Sequence, residues 1–304
     1  MTATSYTKFQ KLGEGTYCSV FRAVNSTTNE VVALKIVRMD QEEDGIPGSS
    51  LREVSLLRAL SHPNVINLLD VLCEGSKLQL IFEFMDRDLK RYLEGGRRTI
   101  KGDLLRSYTF QLLCGLLYLH SNGVVHQNIR PENLLIKKNG FLKIGDFGSA
   151  VSFQRPLTPI DGKMTMLWYR APELVVDSPE YDHSIDIWSC GCVIAEMIKG
   201  TVLFGGDSPV DQLMKICKVI GTPTDEDWPD FGNYVNPQIK LPKGIPIGLK
   251  TVLPNDVDPL LLDLLSRMLT LNPSKRITAK EAVHHEYFKN LQQTLIDICL
   301  PCDM

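Results

Sequence analysis

A chain of 304 residues with 43% hydrophobic and 23% charged side chains is long enough for one large or two-lobed domain, and its composition is that of a soluble globular protein. Its 33 basic and 36 acidic side chains leave a formal charge of −3, which gives no support to nucleic-acid binding or to a polybasic membrane anchor. No apolar run approaches the roughly 18–20 residues of a membrane span, and the polar start MTATSYTKFQ lacks a signal-peptide core, so an intracellular protein of cytoplasm or nucleus is expected.

The first 85 residues read as strand-rich. KFQKLGEGTY, CSVFRAV and EVVALKIVRM are apolar or alternating runs separated by turn chemistry. A helix is expected over 47–60, with Pro47 in its first turn and Val54, Leu56, Leu57 and Leu60 as its stripe, ended by His62-Pro63-Asn64. Two strands follow, over 65–73 and 77–84. Beyond Met85 the period becomes helical, over 104–120, 185–199, 210–220, 259–269 and 278–285, with strand-like pieces at 134–136 and 142–144. The expected fold class is α+β: a small β-rich lobe with one main helix (1–85), a larger helical lobe (86–292) and a C-terminal tail (293–304), hinged near 83–88. Of the eight cysteines, Cys190/Cys192 and Cys299/Cys302 form tight pairs, but neither has a second Cys or His pair at zinc spacing, and reduced, mostly buried thiols are the better reading.

Gly13-Glu14-Gly15-Thr16-Tyr17-Cys18 lies between two expected strands, where glycines let backbone N–H groups close over phosphates; the same pair is also an ordinary turn. Lys35, in Val32-Ala33-Leu34-Lys35, sits in an apolar strand and is costly there unless paired, with Glu53 as the candidate partner; a solvent-facing edge lysine is the alternative. Further on stand VVHQNIRPENLLI (124–136) with Asn133, then Asp146-Phe147-Gly148 and Ala171-Pro172-Glu173.

These motifs, in this order and at these separations, resemble the eukaryotic protein kinases over nearly the whole chain. GEGTY, FEFMDRDLKRYL, LWYRAPELVV, DIWSCGCVIAEM and GDSPVDQLMKICKVIGTP are similar to the cyclin-dependent branch. The resemblance implies a bilobal kinase fold, with ATP and Mg²⁺ as cofactors. It implies Lys35 paired with Glu53 on the phosphates, Asn133 and Asp146 on the metal, and Leu12, Gly13, Gly15, Val20, Ala33, Phe82, Glu83, Met85, Asp88 and Leu135 around the nucleotide. A plain core reading of the apolar members alone is equally good. Residues 47–53 stand where that branch contacts its cyclin, and Pro47, Arg52 and Glu53 match while Gly48, Ser49, Ser50 and Leu51 do not. A cyclin-like partner is thereby implied. Thr16 and Tyr17 match the branch's inhibitory phosphorylation positions, and Glu173 with Arg276 its buried ion pair.

Several positions depart together. Asn128 replaces the aspartate that accepts the substrate's proton, and an amide is no base at neutral pH. Arg130 replaces the phosphate-contacting lysine, and Met166 the threonine that links those two. In the activation segment (146–173), Asp161 stands at the phospho-threonine position with about half a phosphate's charge. Of the three arginines expected around it only Arg52 remains, with Gln127 and Val151 in the other places. Asp161 either sets the segment without phosphorylation or is simply solvated. Two functions stay open. One is a cyclin-dependent-kinase-like pseudokinase that binds Mg-ATP and a cyclin-like partner with weak or absent phosphotransfer. The other is a working kinase for Ser/Thr-Pro sites with a weakened catalytic loop.

Overall fold

The computed structural model describes residues 6–15, 18–38, 46–74, 77–95, 99–153, 166–229 and 231–300. Thr16, Tyr17, Asp161 and Cys302 lie outside the described residues.

The alternating runs at the start build a five-stranded antiparallel sheet from β1 (Tyr6–Glu14), β2 (Cys18–Asn25), β3 (Val31–Arg38), β4 (Leu68–Glu74) and β5 (Lys77–Glu83), in the order β1-β2-β3-β5-β4. The pleat of β3 sorts its side chains between the two faces of this sheet. Val32, Leu34 and Ile36 are buried with Ala23 and Ile81 on one face, so Ala33 and Lys35 face the other way. Helix α1 (Gly48–Ala59) lies against β4 and against a 3-10 turn, Phe147–Ser149, of the larger lobe. Pro47 precedes the helix instead of opening it: its ψ of 130° is extended, and its carbonyl receives the Ser50 N–H at 2.9 Å.

The larger lobe carries the short strands β6 (Arg87–Asp88), β7 (Val124–Val125), β8 (Leu134–Ile136), β9 (Leu142–Ile144) and β10 (Val151–Ser152). Its helices are α2 (Leu89–Glu94), α3 (Gly102–Ser121), α4 (Pro172–Val175), α5 (Ser184–Lys199), α6 (Pro209–Ile220), α7 (Phe231–Tyr234), α8 (Leu249–Val252), α9 (Pro259–Met268), α10 (Ala279–Val283) and α11 (Gln293–Cys299). The α+β architecture is therefore the one expected. The two-residue strands and α2 were not anticipated, because elements that short carry no period. The segment expected as a tail contains α11: Cys299 is buried, and Leu295, Ile296 and Leu300 pack against the core. Among the described residues no helix is long and apolar enough to cross a membrane.

α5 is buried nearly all round, with Trp188 fully enclosed, and is the spine of this lobe. Beside it, Arg276 grips Glu173 through both guanidinium nitrogens at 2.7 and 2.9 Å. Further donations to the carbonyls of Thr270, Leu271 and Ser184 leave the arginine fully satisfied. Arg276→Met would strand the Glu173 carboxylate, which is 1% exposed, and urea titration should record a loss of about 3–5 kcal/mol.

His62, just after α1, joins this region to α11. Its Nδ1 accepts the Asn64 N–H at 3.1 Å and its Nε2–H donates to the Cys299 carbonyl at 3.1 Å. Burial disfavours the imidazolium more than the Cys299 carbonyl favours it, and the pKa falls from 6.5 to about 4. A depressed histidine value means that folding expels a proton at acid pH. The stabilisation is present above about pH 6.5 and is lost as pH falls toward 4. Melting curves across this window should fall more steeply for the native chain than for His62→Gln, which keeps a donor and an acceptor but does not titrate.

Candidate active site

The loop that carries Asn128 is held from beneath by one buried carboxylate. Asp186, on α5, accepts the backbone N–H groups of His126 and Gln127, each at 2.8 Å, and faces His120 Nε2 at 3.1 Å. Burial pushes its carboxyl pKa up, but the contacts with His120 and His126 outweigh that and keep it below the usual range. Gln127 accepts a left-handed backbone, φ 66°, to let both donations converge.

His126 relays this order upward. It is fully buried, its Nδ1 accepts the Asn128 N–H at 3.2 Å, and its Nε2–H donates to the Gly145 carbonyl at 3.0 Å. Burial lowers its pKa, in keeping with the neutral ring this tautomer requires. Phe147, fully buried, meets the same ring edge-on at 5.0 Å. Asp146 between them is left-handed, φ 61°, a conformation that a non-glycine residue keeps only where its surroundings impose it.

Three charged groups and one amide meet above the loop. Lys35 Nζ lies 2.7 Å from Glu53 Oε2 and 3.9 Å from Asp146 Oδ1. Burial works against the ammonium, but Glu53 and Asp146 more than reverse it, and the pKa of Lys35 is raised. Asn128 Nδ2 donates to Asp146 Oδ2 at 3.2 Å. Asn133 Nδ2 donates to the Asn128 carbonyl at 2.8 Å, which leaves its own Oδ1 as the end available to a cation. Asn133 and Asp146 thus offer hard oxygen donors, the set that suits Mg²⁺ bound jointly with phosphates.

The apolar nucleotide candidates gather around β3. Ala33 stands directly opposite Phe82, Val20 opposite Lys35, and Met85 is buried close by. Leu135, half-buried on β8, packs against the same core. The Glu83 carboxylate takes Lys143 at 2.6 Å and the Asn67 N–H at 3.0 Å, so its side chain is occupied structurally. Asp88 caps α2 by accepting the Arg91 N–H at 2.8 Å, and Arg91 Nη2 in turn donates to the Leu12 carbonyl at 2.8 Å. Arg91 and Lys143, which tie these candidates together, were missed in the sequence. Their partners are distant in the chain, and nothing local marks them. Gly13 has open space where a Cβ would stand, while at Gly15 a Cβ would come 3.2 Å from Cys18 Sγ.

The positions that depart from the kinase pattern divide into two groups. Asn128, Arg130 and Met166 do come together, lining with Tyr169 one small, partly open pocket of about 10 Å³. Arg130 leans toward Glu132, 3.8 Å away, and Glu132 also takes Lys90 at 2.8 Å. Gln127 and Arg52 do not meet. Gln127 is buried with its amide on the Tyr181 hydroxyl at 3.0 Å, whereas Arg52 is exposed on α1. Val151 pairs with Val125 across β7 and β10.

An antiparallel sheet lobe over a helical lobe, with a lysine–glutamate pair and a histidine-anchored loop between them, is the layout of a phosphoryl-transfer fold. The family model for the protein kinase domain matches residues 6–288, and the chain belongs to the protein kinase family. Domains of this family bind ATP with Mg²⁺ and act on protein substrates.

Lys35→Met should strand the Glu53 carboxylate, 2% exposed, and lower stability by about 3 kcal/mol. The double variant Lys35→Met/Glu53→Gln should recover most of that stability. In neither variant should ATP raise the melting temperature; a shift equal to that of the native chain would remove Lys35 from the nucleotide site.

Proposed function

We propose that this chain is a cyclin-dependent-kinase-like regulatory pseudokinase. In this reading it binds Mg-ATP and, on residues 47–53, a cyclin-like partner, and it transfers phosphate weakly or not at all. The observation that carries the reading is the Asn128 amide: it stands where a base is required and gives its N–H to Asp146, while the Lys35–Glu53 pair is intact. When bound, Mg²⁺ would neutralise phosphate charge. Asn133 and Asp146 would hold it, and Lys35, kept cationic by Glu53, would hold phosphate oxygens.

Asn128 can orient a hydroxyl but cannot take its proton. General-base help is worth about 10²–10⁴-fold, or roughly 3–5 kcal/mol of barrier. Arg130 keeps the charge of a lysine but spreads it over a planar fork and leans on Glu132. Gln127, tied to Tyr181, has no charge to offer a phosphorylated segment, which favours regulation by partner binding over regulation by phosphorylation. Exposed Leu51 on α1 gives that partner an apolar contact unlike the usual sequence of the branch. The setting is intracellular, in cell-cycle or transcription control.

One feature favours the second reading, an active enzyme for Ser/Thr-Pro sites. The segment Leu167–Tyr169 is firmly seated, with Trp168 Nε1 donating to the Gly206 carbonyl at 3.0 Å and the Tyr169 hydroxyl to Glu196 at 2.6 Å.

Phosphate transfer to a Ser-Pro peptide, measured with the cyclin-like partner bound, separates the two. The native chain should fall at least about tenfold below the 1–100 s⁻¹ of ordinary kinases, and Asn128→Asp should gain activity. Native turnover inside that range would end the pseudokinase reading. If Asn128→Asp gains nothing, the block lies with Arg130, Met166 and the activation segment.

A further inference from the structure

We infer that Asn128 makes nucleotide binding by this chain largely independent of a divalent cation. The inference rests on the reading that the cleft holds ATP, and it concerns how the charges there are balanced.

Asp146 is the carboxylate that would hold the cation, and the protein already addresses both of its oxygens. Oδ2 accepts the Asn128 amide at 3.2 Å, and Oδ1 lies 3.9 Å from the Lys35 ammonium. A carboxylate offers only acceptors, so the donor end of the Asn128 amide must turn toward it. The backbone of both partners is held in place, while the Asp146 side chain is 41% exposed. The Asn128 backbone is pinned at both polar groups, its N–H on His126 and its carbonyl under the Asn133 amide. Asp146 follows Gly145, whose carbonyl takes His126 and whose N–H donates to the Asn133 carbonyl at 2.8 Å.

Charge gives the arrangement its consequence. Lys35, Glu53, Asp146 and Asn128 together carry a net charge of −1. An aspartate at position 128 would make that −2 and would set a second carboxylate against Asp146. Two carboxylates that close disfavour each other's ionised forms, and a cation is the natural relief. With the amide that additional repulsion is absent. A cation approaching Oδ2 would instead share that oxygen with a charge-assisted hydrogen bond, which draws on the same negative charge and weakens its hold. Phosphates entering the cleft would therefore rest mainly on Lys35 and the backbone around Gly13 and Gly15, with the cation adding little.

The test is calorimetric titration of ATP into the full chain, in millimolar Mg²⁺ and again in excess EDTA, for the native protein and Asn128→Asp. Native affinity should change by less than about threefold between the two buffers, while Asn128→Asp should lose about tenfold or more in EDTA, since a hydrogen bond to a charged group is worth about that factor. In parallel, Mg²⁺ alone should raise the melting temperature of Asn128→Asp and leave the native protein unchanged. Asn128→Ala, which removes the amide without adding charge, should show intermediate cation dependence and covers the case in which the aspartate variant fails to fold. Native binding that collapses tenfold or more in EDTA overturns this inference alone. Absence of ATP binding in both buffers overturns the nucleotide reading and this inference with it.

Discussion

Everything at the cleft depends on a carboxylate that never reaches it. Asp186, 1% exposed inside α5, has its oxygens on the backbone N–H groups of His126 and Gln127 and beside His120. A buried charge is tolerable only when its acceptors are filled, and here backbone donors from one loop fill them. The loop is thereby fixed to a helix that is buried nearly all round. His126 then passes the constraint to Asn128 and Gly145, and Gly145 leads into Asp146. The left-handed backbones of Gln127 and Asp146 are the conformational cost of that chain of contacts.

Above this platform, what is kept and what is changed have different physical demands. Lys35 and Glu53 form a desolvated pair, and losing either alone leaves a stranded charge. Asn128, Arg130 and Met166 instead line one small, partly open pocket with room for about one water. Folding therefore constrains the first set on its own account, whatever the second set does.

Much of the architecture was legible from the chain. β8 and β9 fall where the strand-like pieces were expected, and α3, α5, α6 and α9 lie within two residues of their expected bounds, because long apolar periods mark deep burial. The two-residue strands, α2 and α11 escaped because elements that short carry too little period to read. Position 47 shows the same limit on a small scale: a proline suits the first turn, yet whether it opens the helix or precedes it is decided by the surrounding backbone. Within the site, motif spacing identified Lys35, Glu53, Asn133 and Asp146 as one constellation. It said nothing of Arg91, Lys143 or Tyr181, which now hold Leu12, Glu83 and Gln127.

The sequence by itself determined the chemical types on offer: an ammonium in an apolar strand, an amide at position 128, an uncharged glutamine at position 127. It did so because residue identity sets what can donate, accept or ionise. Tertiary structure alone decided how those groups are used. The Asn128 amide turned to Asp146, Gln127 turned to Tyr181, and Arg130 turned toward Glu132. Each of those choices depends on distances of a few ångströms between groups up to 54 residues apart in the chain. Hydrogen bonds and desolvated charges act only at that range, so packing, not spacing along the chain, sets their outcome.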